Sequence, residues 1–303
     1  AQPSAAPAAA AQPGALALPA TPDSELLELH GRLWSVVFRD SHVGVYACVR
    51  TKNAKKQLLR VDLRCERIEP GATDIALKLP AGVSAQEADT SGALILVKGE
   101  LPERPPKVKT NLSMAPFLSP TGCTLACKLS YSVAGQSTEA DLELALPATA
   151  FLSPAPMSED DVQEYVADRR EEFLNVQSAQ AASMAAPGRT AEAIFAELPS
   201  LVSRCAGLCH FYGIQQSAAS SQNKGLKFLL VSRPPQHGSA GLPGQVALPQ
   251  GALIVCLCAV MAREEAIDVR ITVKSCRQDV CDEITAQLTS VFKELVEGRL
   301  SGR

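Results

Sequence analysis

The chain has 303 residues, 46% of them hydrophobic and 20% charged, with 29 Lys and Arg against 32 Asp and Glu for a formal net charge of -3. That length leaves room for two cores, the composition excludes disorder of the whole chain, and the acidic balance provides no global positive field to draw in nucleic acid. No apolar run reaches the roughly 18 residues a membrane-spanning helix needs, and with alanine first and no basic n-region the sequence reads as a piece of a larger, soluble protein.

Residues 1–24, AQPSAAPAAAAQPGALALPATPDS, are Ala, Pro and Gln with almost no charge before Asp23. Such a stretch cannot hold a packed core and reads as a flexible hinge.

Residues 25–152 carry strand signals: RLWSVVF, VGVYACV, LLRVDLRCERI, DIALKLP, ALILVKGEL, CTLACKLSYSV and DLELALP. The alternation is clearest from Arg60 to Ile68, where Val61, Leu63 and Cys65 share one side and Asp62, Arg64 and Glu66 the other, a strand with one face in and one face out. Seven or eight runs of this kind, separated by turn residues, predict an all-β, immunoglobulin-like antiparallel sandwich. Lys52, Lys55 and Lys56, with Arg50 and Arg60 close by, form the densest basic run. A solvated hairpin surface accounts for it more simply than an anionic membrane patch.

At AFLSPAPMSEDDVQEYV the pattern changes. Pro154 and Pro156 cannot donate to a strand ladder, and Ser158 with Asp161 forms a capping box for a helix that places Val162, Val166 and Phe173 on one side. NVQSAQAAS follows as a short strand. AEAIFAELPSLVSRCAGL has helical spacing, although Pro199 must either kink that helix or open a shorter one near Leu198. HFYGIQQS, GLKFLLVSR, GALIVCLCAVM and AIDVRITVK read as four more strands, with the Pro- and Gly-rich insertion PPQHGSAGLPGQVALP between the second and third. Ser275 and Gln278 are expected to cap a final amphipathic helix that stops at Gly298. Residues 153–303 are therefore an α+β platform, an antiparallel sheet with packed helices.

Sequence chemistry is sparse. GxGxxG, P-loop, HExxH and nucleophile-elbow patterns are missing, and His30, His42, His210 and His237 sit on separate elements. The ten cysteines lie in apolar runs such as LIVCLCAV, so they read as reduced core thiols. Cys205, Cys209 and His210 have a spacing that could hold zinc or carry a reactive thiol, but both cysteines fall on the apolar stripe of a helix and packing is the simpler reading. No cofactor, metal site or catalytic residue is assigned.

A low-complexity tether, a sandwich and a platform that ends in an amphipathic helix together resemble the appendage, or ear, of the large adaptin subunits of clathrin-adaptor complexes. Within that family the runs LELHGRLWSVVFRD, LKLPAGVSAQEAD, DLELALPATAFLSPAPMSEDDVQEYV, IFAELPSLVSRCAGLCHFYGIQQ and CRQDVCDEITAQLTSVFKELVE are most similar to the delta subunit of the third adaptor-protein complex. The resemblance implies a non-enzymatic appendage that binds accessory or regulatory proteins through short peptide motifs in Golgi and endosome to lysosome traffic. It further implies association with the other adaptor subunits through a parent chain, a cytoplasmic location peripheral to vesicle membranes, and no nucleic-acid partner. In the endocytic alpha ear, aromatics of the first platform helix form the peptide pocket; here Val162, Gln163 and Val166 occupy the matching positions, so that pocket does not carry over. The candidate partner-binding residues are Val162, Tyr165 and Val166 on this helix and Phe211, Tyr212 and Phe228 on platform strands. The competing readings are an enzyme using Cys205, Cys209 and His210, which would hold zinc or a low-pKa thiol, and a secreted, disulfide-linked adhesion sandwich.

Overall fold

The computed structural model describes residues 26–28, 31–53, 58–104, 107–114, 122–186, 188–216, 225–234, 248 and 251–297. The expected hinge, the side chains of Lys52, Lys55 and Lys56, His30, His237 and Gly298 lie outside what it describes. Among the described residues no helix is long and apolar enough to cross a membrane.

Among the described residues ten strands form the first part: β1 (Leu26–Glu28), β2 (Leu33–Arg39), β3 (Val43–Asn53), β4 (Leu58–Arg67), β5 (Ala72–Lys78), β6 (Val83–Ala85), β7 (Ala93–Ile95), β8 (Lys107–Met114), β9 (Cys123–Val133) and β10 (Gln136–Leu146). They make a six-stranded sheet in the order β1-β2-β3-β4-β8-β6 and a four-stranded sheet in the order β10-β9-β5-β7, with every pairing antiparallel. Period-two alternation places Val43, Val45, Ala47, Leu59, Val61, Leu63 and Cys65 from one sheet against Ile75, Leu77, Leu129, Leu144 and Leu146 from the other in one buried cluster.

The second part contains β11 (Ser153–Pro154), α1 (Glu159–Phe173), β12 (Val176–Ala185), α2 (Ala191–Leu208), β13 (Tyr212–Gln216), β14 (Gly225–Arg233), β15 (Ile254–Ala262), β16 (Ala266–Ser275) and α3 (Gln278–Val296). Its antiparallel sheet runs β11-β14-β15-β16-β12, with β13 also paired to β14. Helix α1 covers one face, where Val162 packs with Leu229, Val231 and Val255. Helices α2 and α3 cover the other, where Ile194, Leu198, Cys205, Val280, Ile284 and Leu288 meet Phe228, Cys256, Cys258, Val269 and Ile271.

The capping box on α1 forms as expected, with the Ser158 side chain accepting from Asp161 N and the Asp161 side chain accepting from Ser158 N. Pro199 lies inside one continuous helix rather than opening a second. The cap expected from Ser275 does not form: Ser275 ends β16 with only 1% of its surface exposed, Arg277 is the N-cap, and no side chain caps it. The strand runs on through Ser275 and the helix starts two residues later than the capping pattern allows, which turns the Ser275 hydroxyl inward. Finally, Asp62 lies on the outer side of β4 as the alternation requires, yet it is fully buried.

Candidate functional site

The chain leaves α2 through a left-handed turn. His210 has φ 59°; its N–H bonds to Gly207 O at 3.3 Å, and Phe211 N donates to Ala206 O at 2.8 Å. This is a Schellman closure with histidine in the position glycine usually takes. The His210 Nδ1 lies 2.8 Å from Thr149 O in the segment joining the two parts, and its own carbonyl accepts from the Ser232 hydroxyl at 2.9 Å. These anchors give the turn a role that offsets its backbone cost, about 1 kcal/mol for a residue other than glycine.

The same turn aims the next two residues. Phe211 enters the core at 3% exposure, while Tyr212 emerges on β13 at 41%. Between β13 and the C-terminal half of α2 lies a groove of about 360 Å³. Pro199, Val202 and Ser203 form one wall, and Phe228 and Tyr212 contribute to the other. Gly207 and Gly213 face it without side chains, which keeps it open. Among the described residues β13 pairs only with β14, and its second edge carries backbone N–H and C=O groups beside the groove.

Of the six candidate residues, Phe211, Tyr212 and Phe228 come together at this groove. Phe211 and Phe228 are buried, and Tyr212 is the exposed aromatic. The other three sit apart on α1. Val162 is 1% exposed and packed into the sheet, and Val166 is half-buried against the same cluster. Tyr165 accepts a hydrogen bond from Leu253 N at 3.0 Å, donates to Gly251 O at 3.2 Å and stacks on Phe173 with centroids 6.5 Å apart. Burial raises its phenol pKa. Tyr165 is thus committed to holding the segment before β15 onto α1.

Sequence reasoning missed the α2 wall, because Pro199, Val202 and Ser203 carry no signal until β13 is known to lie beside them. It also missed Leu257 and Met261, which stand 38% and 47% exposed on β15.

A second cavity of about 200 Å³ lies at the seam between the two parts, where Leu33, Ala47 and Val49 face Leu208 and Val291. Thr149 crosses this seam, its N–H donating to Gln287 Oε1 at 3.1 Å.

The thiol chemistry is muted. All ten cysteines are free and eight of them are buried. Cys205 is held well above an ordinary thiol by the hydrogen bond with Cys209 and by burial, and its Sγ lies 3.8 Å from Leu288 O. Burial pushes Cys258 up to about 12. Thiols raised in this way are poor nucleophiles and poor ligands at neutral pH, and among the described residues no three His, Cys, Asp or Glu side chains gather as a metal site would require.

No family model and no curated protein matches the chain. Among solved structures, the GAE domain of GGA2p from Saccharomyces cerevisiae aligns at TM-score 0.27 and 14% identity, over 38% of this chain and 96% of that one. The yeast GGA1 GAE domain aligns at TM-score 0.27 and 19% identity, over 37% of this chain and 97% of that one. Likenesses this distant leave the function to be read from the chain's own residues.

Proposed function

We propose that this chain is a non-enzymatic binding appendage whose platform captures extended peptide segments of accessory or regulatory proteins at the groove between α2 and β13. The observation that carries the reading is the pairing of an exposed tyrosine, Tyr212, with an open groove and a strand edge that is unpaired among the described residues. A peptide added along β13 would gain backbone hydrogen bonds, and alternate side chains would drop into the groove.

The finer reading rests on the sequence resemblance: the appendage of a vesicle-coat adaptor large subunit, most like the delta subunit of the third adaptor-protein complex. It would act in Golgi and endosome to lysosome traffic from the cytoplasmic side of vesicle membranes, and other adaptor subunits would be reached through the parent chain. A sandwich followed by a helix-flanked antiparallel sheet supports it, as does the proline-marked segment from Pro147 to Pro156 that joins them. The raised thiols argue against the enzyme reading, and the free cysteines against a disulfide-linked adhesion module.

The test is affinity capture from cytosol with the 303-residue chain as bait beside Ser203→Arg, which places a long side chain in the groove from an exposed helix position. Recovery of trafficking proteins with the parent chain and their loss with the folded variant is the expected outcome. Recovery unchanged by the variant would remove the groove from the proposal.

A further inference from the structure

The outer face of the six-stranded sheet is built differently from the rest of this acidic protein. Cross-strand register sets Arg50 beside Arg60 and Asn111, Cys48 beside Asp62 and Lys109, and Tyr46 beside Arg64 and Lys107. With Arg32, whose guanidinium also reaches Asp62, six cations gather here in a chain of net charge -3. Among the described residues three carboxylates on or beside the face are engaged: Asp62, Glu66 and Glu87. Asp62 accepts from Arg60 Nε at 2.9 Å and pairs with Lys107 Nζ at 2.6 Å. Glu66 accepts from the Tyr46 hydroxyl. Glu87 accepts from Thr110 Oγ1 at 2.7 Å and Asn111 N at 3.1 Å.

The array is also held in place. Lys107 Nζ sits 5.0 Å over the ring of Trp34, the only tryptophan in the chain, and Trp34 packs with Tyr46 and Cys48 in a small cluster on this side of the sheet. A buried carboxylate ringed by Arg32, Arg60 and Lys107 fixes three long side chains that would otherwise lose entropy when they engaged a partner. Arg64 and Lys109 remain exposed.

The geometry points to the surface of an anionic lipid bilayer as the occupant of this face. The cations spread in two dimensions, about 14 Å across the strands and about 13 Å along them by ordinary sheet spacings. β4, which carries Arg60 and Arg64, is paired on both sides, by β3 and β8, so the middle of the array offers no backbone edge on which a peptide could add a strand. A row of carboxylates on a peptide would meet one line of the array; a plane of lipid headgroups meets all of it. This surface lies on the sandwich, away from the groove of the platform, and goes beyond the peptide-binding reading without resting on it.

The test is co-sedimentation of the 303-residue chain with vesicles of phosphatidylcholine alone and of phosphatidylcholine with phosphatidylserine. The chain should bind only the anionic vesicles and release as salt is raised. Arg64→Gln with Lys109→Gln should lower that binding on the order of 30-fold, since each cation near such a surface adds about 5-fold. Thermal midpoint should be unchanged, because both side chains are exposed, and Lys128→Gln on the opposite sheet should bind as the parent does. Failure to bind anionic vesicles, or binding that the double variant leaves intact, would overturn the inference. Binding of a polyglutamate peptide in place of vesicles, lost in the double variant, would overturn it in favour of an acidic protein segment.

Discussion

Two tyrosines of the platform, Tyr165 and Tyr212, differ in what they are doing. On the α1 side, Tyr165 has its hydroxyl bonded to both Gly251 O and Leu253 N and its ring stacked on Phe173, with Val162 sealed beneath. On β13, Tyr212 stands 41% exposed at the lip of an open groove. Aromatic character alone does not distinguish a binding residue from a fastener. The distinction lies in whether the polar end and the ring face already have partners within the chain.

Substitutions should separate these two kinds of surface by how they divide between stability and binding. The largest effect on stability is expected from Phe228→Ala, which empties a buried position in the wall of the groove and should cost about 3–5 kcal/mol in denaturant unfolding. Peptide capture would then fail together with the fold.

Next comes Asp62→Asn on the sandwich, a polar fastener like Tyr165 but charged. Burial pulls the Asp62 carboxyl up, yet the hydrogen bonds from Lys107 and Arg60 outweigh it and hold the pKa below the ordinary 3.8. The folded state therefore favours the carboxylate, so its contribution is present above the unfolded value and is lost as pH falls through the lower folded one. The substitution should cost about 2 kcal/mol at neutral pH. That penalty should shrink in unfolding curves recorded below the ordinary 3.8.

Tyr165→Phe should cost about 1 kcal/mol by removing the hydroxyl that serves Leu253 N and Gly251 O. Peptide affinity should be unchanged, and a loss of affinity at constant stability would break the comparison by making α1 a binding surface. The smallest effect on stability is expected from Tyr212→Ala, under about 0.5 kcal/mol for an exposed position. Its peptide affinity should nonetheless fall about 30-fold, as truncation of an interface aromatic does.

Legibility in the sequence followed the locality of the signal. Helix α1 was readable because Ser158 and Asp161 satisfy one another within three residues. The strands β3, β4, β9 and β10 were readable because their alternation is self-contained. β8 was not recognised: KVKTNLSM offers only Val108, Thr110 and Leu112 to the core, between lysines and asparagine, and becomes a strand because β4 supplies a partner. The turn at His210 carried no glycine to announce it, and its reasons, Thr149 and Ser232, lie 61 and 22 residues away. Asp62 looked like an ordinary solvent-facing residue until Arg60 and Lys107 were placed around it. For the same reason the candidate residues divided as they did. Phe211, Tyr212 and Phe228 share a groove only because β13 pairs with β14 in the register Gln215 to Phe228.

The most direct test of the central claim is amide hydrogen exchange of the 303-residue chain, with and without a peptide selected from a displayed library for binding to it. Added protection confined to residues 199–207 and 212–216 is the predicted result, since these segments form the groove wall and the open strand edge. Protection that falls instead on residues 159–173, or on the strands of the sandwich, would contradict it.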